Sequence, residues 1–191
     1  MGAEQGSQFY NENLTRHLKP LEESDWLTLY ETTAELLPEI GTGTRIVDVG
    51  CGTGRFAALL WRMAHRSYWG VDFARVRVEA ARAYVDGYDF ETLDVYSDEF
   101  KARCRGDDTY VILEVLEHLK HDRELIESIP AGASVVFSVP NYDAQAHVRF
   151  FTDLDSVKRR YGDLLDINDH REVIHNEATK RVIWVCRSER R

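Results

Sequence analysis

Five side chains in the middle of the chain have the types and spacing to do chemistry together: Asp48, Asp72, Glu114, Glu117 and His118. Asp48 stands just ahead of a glycine turn, Gly50-Cys51-Gly52-Thr53-Gly54. Glycines there permit positive φ and let a ligand approach the backbone closely. A carboxylate at the mouth of such a turn repels phosphate and attracts a cation. Asp72 follows the first glycine at close to the ~20-residue offset at which an acid reaches a ribose. Its two oxygens can accept from a vicinal diol, or can cap the next helix. His118 carries an imidazole whose unperturbed pKa of ~6.5 lets it take a proton from a hydroxyl near neutral pH. Glu114 or Glu117 could orient it and favour its charged form.

The elements that must position these groups follow from apolar periodicity. Ile46-Val47-Asp48-Val49 is an apolar run of buried-strand type, and Phe56, Leu59, Leu60 and Met63 recur at helical spacing after the turn. A second strand, Ser67 to Asp72, ends on an acid. A helix with Phe73, Val76, Ala80, Ala83 and Tyr84 on one face follows, closed by Gly87. Tyr88–Val95 reads as a third strand, with Asp94 at its end. Ser97–Arg105 reads as a short helix and loop, and Thr109–Glu114 as a fourth strand running into Glu114–Leu119. Ala133–Val139 is a fifth strand stopped by Pro140. Thr152 and Asp155 suggest a partial capping box for a helix that Gly162 ends. Two apolar runs, Leu164–Ile167 and Arg181–Arg187, read as a closing antiparallel pair. Ahead of all this, residues 1–8 read as loose. Ser24 is the expected N-cap of a helix carrying Trp26, Leu29, Tyr30, Thr33, Leu36 and Leu37, with Trp26 and Tyr30 as core. Pro38 and a Gly41-Thr42-Gly43 turn end that helix.

The pattern Asp48-x-Gly50-x-Gly52-x-Gly54 departs from a dinucleotide fingerprint, whose third glycine would fall at Arg55. It resembles motif I of the class I S-adenosylmethionine-dependent methyltransferases. The donor suits the site, since it carries an ammonium and a sulfonium and no phosphate. Glu114-Val-Leu-Glu117-His118-Leu119 resembles the post-strand motif of small-molecule O-methyltransferases such as those of ubiquinone biosynthesis. The resemblance spans about residues 40–187. It implies an α/β fold, a Rossmann-like three-layer sandwich with a mostly parallel seven-stranded sheet and a terminal antiparallel strand. Residues 1–40 would form a helical cap segment and 41–191 the methyltransferase domain. It further implies S-adenosylmethionine as cofactor, bound by Asp48, Gly50, Cys51, Gly52, Gly54, Asp72, Phe73, Asp94, Val95 and Glu114. His118 and Glu114 would be catalytic, unless His118 only hydrogen-bonds the backbone of its loop; no metal would be needed, and Tyr10 would be a lid over the cofactor. Asn141, Tyr142, His147 and Arg149 are either acceptor contacts or surface loop.

Length and charge bound the rest. With 191 residues and 43% hydrophobic content, the chain suits one domain with a sizeable core. The net charge of −9 disfavours a nucleic-acid partner and leaves a small-molecule substrate as the expectation. No apolar run reaches membrane-span length, and the polar N-terminus does not read as a secretory signal. Three scattered cysteines argue for a reducing, cytoplasmic setting, with Cys51 as a small packing residue.

Three rivals stand. Small-RNA 2′-O-methyltransferases carry a similar Glu-x-x-Glu-His and a later histidine around a divalent metal, which Glu114, Glu117, His118 and His147 match in type. A nicotinamide oxidoreductase is weakened by Arg55 and Asp48. A non-catalytic cofactor-binding module is the third, because fold alone does not give function.

Overall fold

A computed structural model describes residues 2–12, 14, 17–38 and 43–191. Seven strands form one sheet: β1 Ile46–Val49, β2 Tyr68–Asp72, β3 Asp89–Thr92, β4 Thr109–Ile112, β5 Ser134–Pro140, β6 Leu165–Asn176 and β7 Arg181–Arg190. Their order is β3-β2-β1-β4-β5-β7-β6. The first five pair in parallel, and β7 lies antiparallel between β5 and β6. The helices are α1 Ser7–Glu12, α2 Leu27–Leu36, α3 Arg55–Arg62, α4 Arg75–Tyr84, α5 Asp98–Arg103, α6 Asp122–Ser128 and α7 Leu154–Tyr161, with a 3₁₀ turn at Leu21–Glu23.

The inner strands are apolar on both faces because both faces are covered. Alternate residues divide between two cores. Ile46, Val111 and Val136 pack with Leu29, Phe56, Leu60 and Val78 of α2, α3 and α4. Val47, Tyr110, Ile112, Val135 and Phe137 pack with Phe100, Leu125, Ile126 and Val157 of α5, α6 and α7. Three layers result, as the sequence implies. Phe137 is fully buried, so truncating it to alanine should cost about 3–5 kcal/mol.

The chain runs outward from β1 to β3, then returns to place β4 on the other side of β1. Sheets of this kind open a crevice beyond the carboxyl ends of the strands where the order reverses. Gly50 follows β1 and Glu114 follows β4, so both stand at that crevice.

Several local expectations are corrected. Ser24 does not cap α2, whose N-cap is Trp26 without a side-chain bond; Ser24 Oγ accepts from the Trp26 N–H instead. The loose segment is shorter than residues 1–8, since α1 begins at Ser7. In α4 the inward face is Val78 and Ala81 rather than Val76, Ala80 and Ala83, because the helix starts only at Arg75. Its C-cap is Val85, and Gly87 lies beyond in the turn with φ 95°. The capping box of α7 is one residue on, Asp153 with Ser156. The polar stretch expected to join the last two strands belongs to β6, an edge strand with one solvated side. Gly41 and Thr42 of the expected turn, and the expected boundary between residues 40 and 41, lie outside the described residues.

Candidate active site

The glycine turn is built from left-handed backbone that glycine adopts without the strain a side chain brings. Gly50, Gly52 and Gly54 have φ of 79°, 53° and 77°. A Cβ on Gly50 would stand 2.4 Å from Val115 Cγ2, so this residue must be glycine for the post-β4 segment to pack against it. Gly54 lines no cavity; its Cβ would meet Ala81 of α4 at 3.1 Å, which makes it a packing glycine. Cys51 is buried in the turn, with its thiol pushed well up by burial.

Asp72 ties the turn to the next helix. Its Oδ2 accepts from the Gly52 N–H at 3.1 Å and its Oδ1 from the Ala74 N–H at 2.8 Å. Both expected uses of this acid are compatible, since each carboxylate oxygen keeps a second lone pair. Asp48 is buried beneath the turn and accepts from the Tyr68 hydroxyl at 2.6 Å. Burial pushes its carboxyl up to about 7, against the Tyr68 hydrogen bond that lowers it.

Two cavity lobes open at the crevice. The larger, about 580 Å³, is lined by Asp48, Cys51, Gly52, Tyr142, His147 and His175 among others. The smaller, about 400 Å³, is lined by Asp72, Phe73, Asp94, Val95, Tyr96 and Leu119 among others. Tyr10, Gly50, Arg77, Glu114 and His118 line both and form the boundary between them. Tyr10 reaches this boundary from α1. Its ring stands edge-on to Phe73 and to His118, with centroids 5.4 and 6.0 Å apart, and the Arg77 guanidinium lies 4.9 Å from its centroid.

The segment after β4 is a turn between strand and helix, not a helix. β4 ends at Ile112, two residues before the expected end, and Glu114 has φ 54°. A reciprocal pair holds that strained residue: its N–H donates to Ser138 Oγ at 2.8 Å, and the Ser138 hydroxyl donates to Glu114 Oε1 at 2.9 Å. Burial pushes the Glu114 carboxyl up to about 7. Glu117 is fully buried, and both its oxygens lack a hydrogen-bond partner among the described residues. Burial, and then the charge of Glu114, raise it well above the carboxylate range.

His118 departs from its expected chemistry. Its Nδ1 faces the Ala146 carbonyl at 3.0 Å. A carbonyl only accepts, so Nδ1 carries the proton and Nε2 keeps its lone pair. Glu117 Oε1 lies 3.8 Å from Nε2, too far to hydrogen-bond it, and Glu114 is turned to Ser138. The carboxylates therefore do not favour the charged ring. Burial depresses His118 to about 4, so it is neutral at physiological pH. His147 is arranged alike, with Nδ1 on the Tyr142 carbonyl at 3.0 Å, and burial lowers it too. Ligand atoms of Glu117, His118 and His147 all fall within 4.8 Å of one another, and Glu114 does not join them.

The chain shows what it is by comparison as well as by geometry. A family model described as a methyltransferase domain matches residues 14–184. The chain belongs to that family. It is an S-adenosylmethionine-dependent methyltransferase of class I. A comparison with curated proteins finds no match. Among solved structures, the N-methyltransferase NodS from Bradyrhizobium japonicum WM9, in complex with S-adenosyl-l-homocysteine, is similar with TM-score 0.70 and 16% identity. That match covers 95% of this chain and 98% of that one. An S-adenosylmethionine-dependent methyltransferase from Mesorhizobium loti aligns with TM-score 0.62 and 18% identity, over 89% and 100% of the two chains. The [4+2]-cyclase SpnF aligns with TM-score 0.73 and 15% identity, over 100% and 99%. At these identities the likeness is one of fold, and the cyclase shows that this fold also serves other chemistry.

Residues that sequence reading missed are Arg77, Tyr96 and His175. Trp26 packs against the core as expected, and it also stacks on His175 at 4.8 Å along the larger lobe. The Tyr96 hydroxyl is buried beside the smaller lobe without a partner among the described residues. Among the described residues no helix is long and apolar enough to cross a membrane.

Proposed function

We propose that the protein transfers the methyl group of S-adenosylmethionine to a hydroxyl oxygen of a small-molecule acceptor. In this reading the adenosine end of the cofactor lies in the lobe of Asp72, Phe73, Asp94 and Val95. The methionine end lies against Asp48 and the glycine turn, and the acceptor enters the rest of the larger lobe. The observation that carries the reading is His118. It stands at the boundary of the two lobes, where the methyl group would be presented, with Nε2 unprotonated and Nδ1 anchored on a backbone carbonyl. The sulfonium is already activated, so the protein's part is to align the acceptor and accept its proton. Glu114 braces the turn through Ser138, and Tyr10 covers the boundary from α1. The oxygen acceptor is supported by the Glu114–Leu119 resemblance. Named neighbours act on varied acceptors: a geranyl diphosphate C-methyltransferase from Streptomyces coelicolor was crystallised with Mg²⁺ and geranyl diphosphate. The test is calorimetric titration with S-adenosylmethionine, S-adenosylhomocysteine and NAD, followed by a metabolite screen with methyl-labelled cofactor. Binding of the first two and label transfer to a small hydroxyl compound are expected. Label on nitrogen or carbon would replace the oxygen assignment.

A second reading, a metal-assisted transfer, is favoured by one specific observation. The two imidazoles each donate Nδ1–H to a backbone carbonyl, as a metal-bound histidine usually does with the nitrogen that does not bind the ion. Beside them lies a buried carboxylate without a partner among the described residues, Glu117. Two nitrogens and an oxygen suit a divalent ion of intermediate softness. Glu117, His118 and His147 would hold it, and it would polarise the acceptor hydroxyl.

A further inference from the structure

Leu116 to Lys120 lies between β4 and α6 and belongs to neither. Four of its five carbonyls are nevertheless held, all by two consecutive residues of the loop after β5. Arg149 Nη1 donates to the Leu116 and Leu119 carbonyls, and its Nη2 donates to the Lys120 carbonyl at 3.2 Å. The Val148 N–H donates to the Glu117 carbonyl at 2.8 Å. The same loop supplies the Ala146 carbonyl that fixes the His118 ring.

Arg149 also lies 3.2 Å from Oδ1 of the buried Asp122, which suggests a simple ion pair. Asp122 does not need it. Arg160 already binds that carboxylate through two nitrogens, at 2.7 and 2.6 Å, and the Tyr161 hydroxyl donates to it at 2.6 Å. The donors of Arg149 are spent mainly on the turn. A planar guanidinium has five N–H groups in a fixed fork, which is what three carbonyls around one centre require; a lysine ammonium is a point charge.

We infer that Arg149 is a positioning residue: its fork sets the Glu117–His118 turn and thereby the His118 tautomer and ring orientation. This rests on the proposed function only in placing His118 in the site.

The test reads the His118 imidazole by long-range ¹H–¹⁵N correlation spectra, with melting temperature and S-adenosylhomocysteine titration alongside. Wild type should show the pure Nδ1–H tautomer. Arg149→Lys should lose that purity and give mixed tautomer signals, with cofactor-product affinity retained. Arg160→Gln loosens the same Asp122 cluster without touching the turn, so it should lower the melting temperature and leave the tautomer pure. A pure Nδ1–H tautomer in Arg149→Lys, or equal disturbance in both variants, would overturn the inference. Should Arg149→Lys not fold, the wild type itself decides. Its Arg149 guanidinium protons should appear as separate, slowly exchanging signals, and a freely rotating, averaged guanidinium overturns the assignment. Absence of S-adenosylhomocysteine binding by wild type would remove the methyl-transfer reading and leave the tautomer result standing.

Discussion

His118 and His147 meet edge to face, their ring centroids 4.9 Å apart, and come from different loops on the same end of the sheet. Each is neutral and each is anchored through Nδ1. The two rings and Glu117 bring ligand atoms within 4.8 Å of one another.

If His118 takes the acceptor proton, His118→Ala should lower turnover by about 100- to 10,000-fold with S-adenosylhomocysteine affinity nearly unchanged. The rate limb set by His118 protonation belongs near pH 4, where burial has moved it, and not near ~6.5. Activity should be kept above that limb and lost as pH falls through it. A limb at 6.5 that disappears in the variant would show that the ring is not desolvated in the working enzyme.

Metal use is read by removal. With Glu117, His118 and His147 as ligands, an excess of chelator should abolish activity and manganese or magnesium should restore it. Glu117→Gln should weaken manganese binding, measured by electron paramagnetic resonance. Full turnover in chelator would leave His118 alone as proton acceptor.

If Asp48 receives the cofactor's ammonium, cofactor binding depends on pH. The Asp48 carboxyl is held up to about 7, so it is ionised above that value and largely neutral below it. The cofactor's ammonium favours the ionised form. Affinity should therefore rise from pH 6 to pH 8 and decline toward tenfold per pH unit on the acid side. A proton should be released on binding, visible as a buffer-dependent calorimetric enthalpy near pH 7. The stability effect has the opposite direction. A raised carboxyl means the folded state holds the extra proton, so stability of the free protein is lost as pH rises toward 7. Asp48→Asn should flatten both dependences. A wild-type affinity that is flat across this range would exclude Asp48 as the ammonium partner.

Asp72→Ala should weaken cofactor binding by roughly 1.5–3 kcal/mol if the carboxylate accepts the ribose hydroxyls. Asp72→Asn is the informative companion. Its amide keeps one acceptor oxygen, so it can serve only one of the two backbone N–H groups that Asp72 now joins. Equal dissociation constants for wild type and a folded alanine variant would reduce Asp72 to a brace for the glycine turn.

The legible part of the site was the part encoded by local spacing. Asp48, Gly50, Gly52 and Asp72 lie on one strand–turn–helix–strand unit, so their relation is set by the length of that unit. Strand identities followed from two-sided burial, which leaves largely apolar runs such as Val135 to Val139, interrupted only by Ser138. Trp26, Tyr142 and His175 could not be grouped in advance. They come from the start of α2, the loop after β5 and the edge strand β6, and only tertiary packing stacks them. Trp26 packs on the core as its spacing implies, but an aromatic at helical spacing does not reveal that its other side lines a cavity. The basicity of His118 was misjudged for a related reason. Sequence shows the adjacent glutamates but not the burial that outweighs them. The shift from Thr152/Asp155 to Asp153/Ser156 is the ordinary one-residue uncertainty of a helix start.

The insertion of β7 between β5 and β6 bears on how the chain is made. During synthesis every other strand of the sheet leaves the ribosome before β7, yet β7 pairs with β6 from Arg181 to Arg190 and with β5 from Ile183 to Glu189. Until it arrives, β5 has an open edge carrying Val135, Val136, Phe137 and Val139, an apolar template for association with another nascent chain. The strands, glycine turn and Glu117–His118 turn through residue 120 can assemble without it. The His175 wall of the larger lobe cannot, because β6 joins the sheet only through β7. Under the proposed reading, every segment lining the lobe assigned to the donor leaves the ribosome before the His175 wall of the lobe assigned to the acceptor.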